Sequence, residues 1–205
     1  MFELSLIDCI LTAMDDEFPI GNRVFQNEVL EGVFGERVEF HKVRFERCRF
    51  VECDFSKAAF VESELLNCDF SNCILRESYW KQVNVVNCKG HGADFTDGIF
   101  HQVKFLNSKL DYGNFNKTLL DDVLMEDCTF ISASIAETKI KKLSLKNDVF
   151  DHTDFFKTSL NGLDFTECEF RQVIMSDDYR ELKGAKFNVF QAVDLARLLG
   201  IVVQD

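Results

Sequence analysis

Phe40-His41-Lys42-Val43-Arg44-Phe45-Glu46-Arg47-Cys48-Arg49-Phe50-Val51-Glu52-Cys53-Asp54-Phe55-Ser56-Lys57-Ala58-Ala59-Phe60 places phenylalanine at every fifth residue, with mostly polar side chains between. Continued at that interval to Met175, the series has 28 positions, of which 27 are apolar and 15 are Phe. At 46% hydrophobic content, chance would fill about 13 of them. Gly90 is the one exception. Two residues ahead of each large residue runs a second, smaller column that includes Cys48, Cys53, Ala58, Ser63 and Cys68. A period of five fits neither the 3.6 of a helix nor the 2.0 of a strand. If each unit turns a corner, both columns can point inward while the rest face water. Stacked coils then bury a continuous core that no single unit could bury alone.

The composition narrows the class. The chain has 205 residues, with 22 Phe against 3 Tyr and 1 Trp, as expected if one kind of buried site is repeated. Gly (10) and Pro (1) are too scarce for collagen-like or low-complexity sequence. No apolar run approaches the ~18 residues of a membrane span. The apolar start, Met1 to Ala13, is interrupted by Glu3 and Asp8 and lacks a basic leader, so it reads poorly as a signal peptide. A net charge of −12 argues against direct binding to nucleic acid through its phosphates.

On these columns the chain resembles the pentapeptide-repeat family. The resemblance covers Val38 to Asp177, and more weakly Asn22 to Arg37 through Phe25 and Leu30. It implies an all-β fold, a right-handed quadrilateral β-helix with four units per coil, here followed by a short C-terminal α-helix. Twenty-eight units then make seven coils and a shaft about 34 Å long at the usual strand spacing. Asn87-Cys88-Lys89-Gly90-His91-Gly92-Ala93-Asp94-Phe95 and the ending Phe190-Gln191-Ala192 to Val203 are similar to the quinolone-resistance (Qnr-type) members. The unbroken register leaves no room for an inserted loop, so the likeness is to relatives without projecting loops. The expected organisation is an N-terminal cap over 1–21, the repeat over 22–180, and a cap helix with a dimerisation segment over 181–205.

Open ends of a β-coil need covering. Asn188 and Gln191 have the spacing of a capping box, and with Gly200 as terminator they predict a helix over 189–199, then a short strand at 201–203. Phe187, Phe190, Val193, Leu195, Leu198, Leu199 and Ile201 offer more apolar surface than one cap helix needs. The resemblance implies a two-fold homodimer there; a monomeric cap is the plainer alternative. The first 21 residues lack the repeat, and Asp15-Asp16-Glu17-Phe18-Pro19 reads as an acidic loop of the other cap.

Seven of the eight cysteines fall in the small column. Stacking would bring Cys48, Cys68 and Cys88 close, but parallel Cβ vectors suit a disulfide poorly. They read as small buried hydrophobes, with a metal or redox role as the alternative, and free thiols point to the cytoplasm. His41, His91, His101 and His152 face outward without metal-ligand spacing. No nucleophile-and-base motif, P-loop or dinucleotide fingerprint occurs, so no enzyme, catalytic residue, cofactor or metal is expected. Gly90 predicts a local bulge. Asp148, in the small column, is expected to bond backbone amides or distort its coil.

The resemblance implies a DNA mimic that binds a type II topoisomerase, DNA gyrase or topoisomerase IV, and protects it from quinolones. The charge fits this weakly: Val38 to Asp177 holds 23 acids and 17 bases. That is one net charge per roughly 5.7 Å of shaft, against one per ~1.7 Å of duplex. The acids are unevenly placed. The side of units 55, 75, 95, 115, 135, 155 and 175 carries Asp54, Glu77, Asp94, Asp97, Glu137, Asp154 and Asp177 against four bases, whereas the side of unit 140 carries Lys139, Lys141 and Lys142. An acidic flank suits docking in a basic groove. A generic protein-binding scaffold, its acids serving solubility, is the competing reading.

Overall fold

The computed structural model describes residues 4–16 and 18–204. The chain winds into a right-handed quadrilateral β-helix of about eight coils, with a helix at either end. Every inter-strand pairing is parallel, and apart from Asp121 with Lys142 and Asp164 with Lys186 residue i faces residue i+20 on all four sides: Phe40 with Phe60, Phe45 with Leu65, Arg49 with Asp69, Asp54 with Ile74. The first face carries Phe40 and its equivalents inward, the second Phe45, the third Phe50 and the fourth Phe55.

The corners explain the fivefold period. Two residues after most central residues, Lys142 and Glu167 being exceptions, the backbone turns left-handed, as at Asn67, Asn87 and Asn107 (φ 55°, 54° and 48°). Asn and Asp tolerate that region best among residues with a side chain, and Asn recurs there. Large residues then meet inside. Phe60 stacks on Phe40 and Trp80 at 5.0 and 4.3 Å, and Phe95 on Phe115 at 4.7 Å. Trp80, the single tryptophan, donates its Nε1–H to Ser78 Oγ at 2.8 Å.

The shaft is one coil longer than unit counting gave, because pairing begins at Ile20 with Phe40. Gly35 hides that coil in the sequence. It holds a central position, but the Phe55 ring lies 2.7 Å from where its Cβ would be. Gly90 corrects the expected bulge the same way. Its N–H donates to Lys109 O at 2.8 Å as an ordinary ladder residue, and Phe70 and Leu110 fill its place, 2.3 and 2.9 Å from a would-be Cβ.

The small column is a hydrogen-bonding ladder. Several inward N–H groups find a side-chain acceptor one coil on: Val43 on Ser63 Oγ, Cys68 on Cys88 Sγ, Cys88 on Ser108 Oγ. All eight cysteines are reduced and buried, and burial pushes the Cys128 thiol up to about 12. Asp148 serves the same ladder, accepting from Cys128 N at 2.9 Å and Lys146 N at 3.1 Å.

The distortion also expected there is real and larger. On the first and second faces the ladder stops at the strand Lys139–Lys146, which pairs only with Leu119–Glu126. Gln102 N–H donates to Asp121 O and Asn107 N–H to Glu126 O, but Lys142 and Asn147 make no such bonds to the coil of Leu160. Earlier corners on this edge are open, whereas the one at Asn161-Gly162 is a tight turn closed by Leu163 N donating to Leu160 O at 3.0 Å. Leu143 and Leu163 also stand where earlier coils have Val43, Ser63, Val83, Val103 and Val123. Unlike corners with bulkier side chains do not stack. The third and fourth faces stay paired, Phe150 with Phe170 and Asp154 with Ile174.

Both ends are helical. Helix α1 (Leu6–Asp16) is a feature the fivefold reading missed; Ser5 and Asp8 cap it reciprocally, and Leu6, Cys9 and Ile10 are buried. Asp15 and Asp16 therefore end a helix rather than form a loop, and Glu17 lies outside the described residues. Helix α2 (Val189–Leu198) carries the predicted capping box, Asn188 Oδ1 accepting from Phe190 and Gln191 N–H while Gln191 Oε1 accepts from Asn188 N–H. Gly200 N–H donates to Arg197 O and Ile201 N–H to Ala196 O, the double bond of a Schellman end. Among the described residues Ile201 to Val203 forms no strand, so the predicted one is absent. No helix among the described residues is long and apolar enough to cross a membrane.

Candidate functional site

The fourth face sets the acidic residues in two rows. Along the strand row, Asp54, Ile74, Asp94, Asn114, Ser134, Asp154 and Ile174 follow one another through parallel bridges. Its carboxylates are half-buried and committed to their own turns. Asp54 Oδ1 accepts from Ser56 N and Oγ at 2.9 and 2.6 Å, Asp94 Oδ1 from Thr96 N and Oγ1 at 3.1 and 2.6 Å, and Asp154 Oδ1 from Phe156 N at 2.8 Å. Burial pushes the Asp94 carboxyl up, but bonds from Thr96 and from Arg76 Nε at 2.6 Å outweigh it and hold it below the ordinary range.

The corner row is exposed. Glu77, Asp97 and Glu137 occupy left-handed corners, and Asp177 continues the column. Lys57, Lys117 and Lys157 share that row, so the acids do not form one uninterrupted stripe. Glu77, Asp94 and Asp97 converge on neighbouring coils about 4.8 Å apart. Glu137 and Asp154 lie beyond Lys117, and Asp177 stands at the C-terminal end of the row.

Sequence reasoning missed a second acidic group, Asp121, Asp122, Glu126 and Asp127 on the first and second faces. Summing by face concealed it, because lysines twenty residues on answer it: Lys141 reaches Asp121 at 3.1 Å, Lys142 reaches Asp122, and Lys146 reaches Glu126. Opposite charges at i and i+20 are the signal that would have found the pairing.

The seven apolar C-terminal residues divide. Phe187 closes the core, stacked on Phe165 at 5.4 Å and touching Phe170 at 4.9 Å, and Leu195 is buried. Val193 is half-buried. Phe190 (80% exposed), Leu198, Leu199 and Ile201 stay outside with Val202 (85%). Among the described residues no three His, Cys, Asp or Glu side chains gather into a metal-binding group.

The family of pentapeptide repeats matches residues 39–77, in eight copies, and the i-to-i+20 stacking extends that pattern from Ile20 to Ile174. The chain carries the pentapeptide repeat. A trypsin-treated variant of QnrB1, a plasmid-mediated fluoroquinolone resistance protein, is 21% identical with a TM-score of 0.54, over 92% of this chain and 100% of that one. HetL, involved in heterocyst differentiation regulation in the cyanobacterium Nostoc sp. strain PCC 7120, is 14% identical with a TM-score of 0.53, over 90% and 95%. Rfr23 from the cyanobacterium Cyanothece 51142 is 10% identical with a TM-score of 0.56, over 60% and 99%. At these identities the pentapeptide-repeat proteins share a fold. No curated protein matches the sequence. Pentapeptide-repeat proteins are generally structural or binding scaffolds.

Proposed function

We propose that this pentapeptide-repeat protein is a non-enzymatic cytoplasmic rod that mimics DNA, occupying the basic DNA groove of a type II topoisomerase (DNA gyrase or topoisomerase IV) and relieving quinolone poisoning. The convergence of Glu77, Asp94 and Asp97 on adjacent coils carries this reading, together with the Qnr-like segment 87–95 that contains Asp94. Fixed corners hold these carboxylates at a regular rise, so little side-chain order is lost on docking. With Arg76 beside Asp94 the local field is modest, and its benefit is steering more than affinity. The exposed Phe190, Leu198, Leu199 and Ile201 support a homodimer through the C-terminal end, which would double the rod.

A scaffold for some other partner is the second reading, favoured by Lys57, Lys117 and Lys157 within the corner row. A supercoiling assay with quinolone and graded protein separates the two. The DNA-mimic reading expects rescue at micromolar protein and its loss in Asp94→Lys/Asp97→Lys. Neither rescue nor inhibition by the folded wild type would leave the scaffold.

A further inference from the structure

The unpaired strand Lys139–Lys146 is a second surface, independent of the acidic flank. The inward residues of the coil below are closed off: Leu120, Val123 and Met125 are 1%, 2% and 1% exposed. Their equivalents Ile140, Leu143 and Leu145 are only half-buried, because a slot opens between this strand and the coil of Leu160. One lip presents the unbonded N–H group of Asn147; the other presents those of Ser159 and Asp164. Around Gly162 nothing lies within 4 Å of a would-be Cβ.

A strand seated in the slot needs about 4.8 Å on either side. No backbone hydrogen bond crosses the two open faces, so widening them breaks no ladder. The far lip is already tied elsewhere: Leu160 N–H donates to Glu181 O and Phe165 N–H to Lys186 O.

The lysines say what fits. Lys139, Lys141, Lys142 and Lys146 put four positive charges and no acid into eight residues of a chain whose net charge is −12. Lys139 makes no ion pair among the described residues, and the pairs of the other three are exposed and exchangeable. Edge lysines discourage pairing with neutral or basic strands, and for an acidic strand the same charges become attractive. We propose that the slot is a docking edge for an extended acidic segment of another protein, taken up as an added strand with apolar residues toward Leu143 and Leu145 and carboxylates toward the lysines.

The probe is a fluorescein-labelled peptide of ten residues alternating glutamate and valine, with a lysine–valine peptide as its counterpart. Polarisation should show saturable, salt-sensitive binding of the acidic peptide only, and hydrogen exchange should show new protection over 139–147 and 159–164. Lys139→Glu/Lys142→Glu should weaken the acidic peptide by about tenfold or more and admit the basic one. Equal binding of both peptides, protection elsewhere, or an unchanged affinity in the variant would overturn the proposal. So would protection of 139–147 that rises with protein concentration alone, since a second copy would then be the occupant. If the variant misfolds, the exchange pattern of the wild type decides.

Discussion

Replacing Asp148 by Asn turns the carboxylate in the small column into a pH test of the fold. Burial pushes this carboxyl up to about 7, and Asp127 and Glu126 add repulsion, although the N–H groups of Cys128 and Lys146 pull the other way. A folded-state value above that of the unfolded chain means that the folded protein holds the extra proton through the intervening range. The stability gained is present at low pH and lost as pH rises through 7. With an ordinary aspartate in the unfolded chain, the loss between pH 6 and 9 is about 1.4 kcal/mol. Asn keeps an acceptor for Cys128 N–H but does not titrate, and it faces Lys146 N–H with one acceptor fewer, at a roughly pH-independent cost of about 1–3 kcal/mol. Urea unfolding followed by the fluorescence of Trp80 reads both proteins. The wild-type and Asp148→Asn stabilities should converge by about 1.4 kcal/mol from pH 6 to 9. Parallel curves across that range would refute the reasoning.

Gly90→Ala should destabilise by about 1–3 kcal/mol, because the methyl meets Phe70 rather than empty space; the same urea titration measures it, and a neutral or stabilising result would mean that the site is a void. Asn188→Ala removes the acceptor for two N–H groups at the start of α2 and should cost about 1 kcal/mol, read by thermal melting and by faster exchange of the Phe190 and Gln191 amides.

The sequence disclosed most of the shaft because its period reports which side chains point inward, and only the coils satisfy every fifth residue at once. Where the readout depends on what a neighbour does, it failed. Gly90 looked like a vacancy, yet Phe70 and Leu110 belong to adjacent coils and fill it, as Phe55 does at Gly35. Helix α1 was visible in Ser5, Asp8 and the spacing of Leu6, Cys9 and Ile10, but the fivefold frame drew attention from the 3.6-residue one. The slot at Lys139–Lys146 arises from two unlike corners meeting, which apolar columns do not record. Asp148 was singled out by its chemistry alone, since a carboxylate among Cys and Ser needs partners. The acidic residues were named from their positions in the repeat, but which of them adjoin Lys57, Lys117 and Lys157 emerged only from the rows of the folded chain.

The segment after Asp177 rejoins the stack two residues out of step, Asp164 facing Lys186 instead of a residue twenty on. Gln191 then spends its amide on Phe165 O and Cys168 O. A solenoid whose last layer matched its first would be a filament monomer, able to add copies end to end without limit. The broken cadence and the amide lock close this end of the stack: a further coil laid on it would meet a layer that is out of step with its own strands.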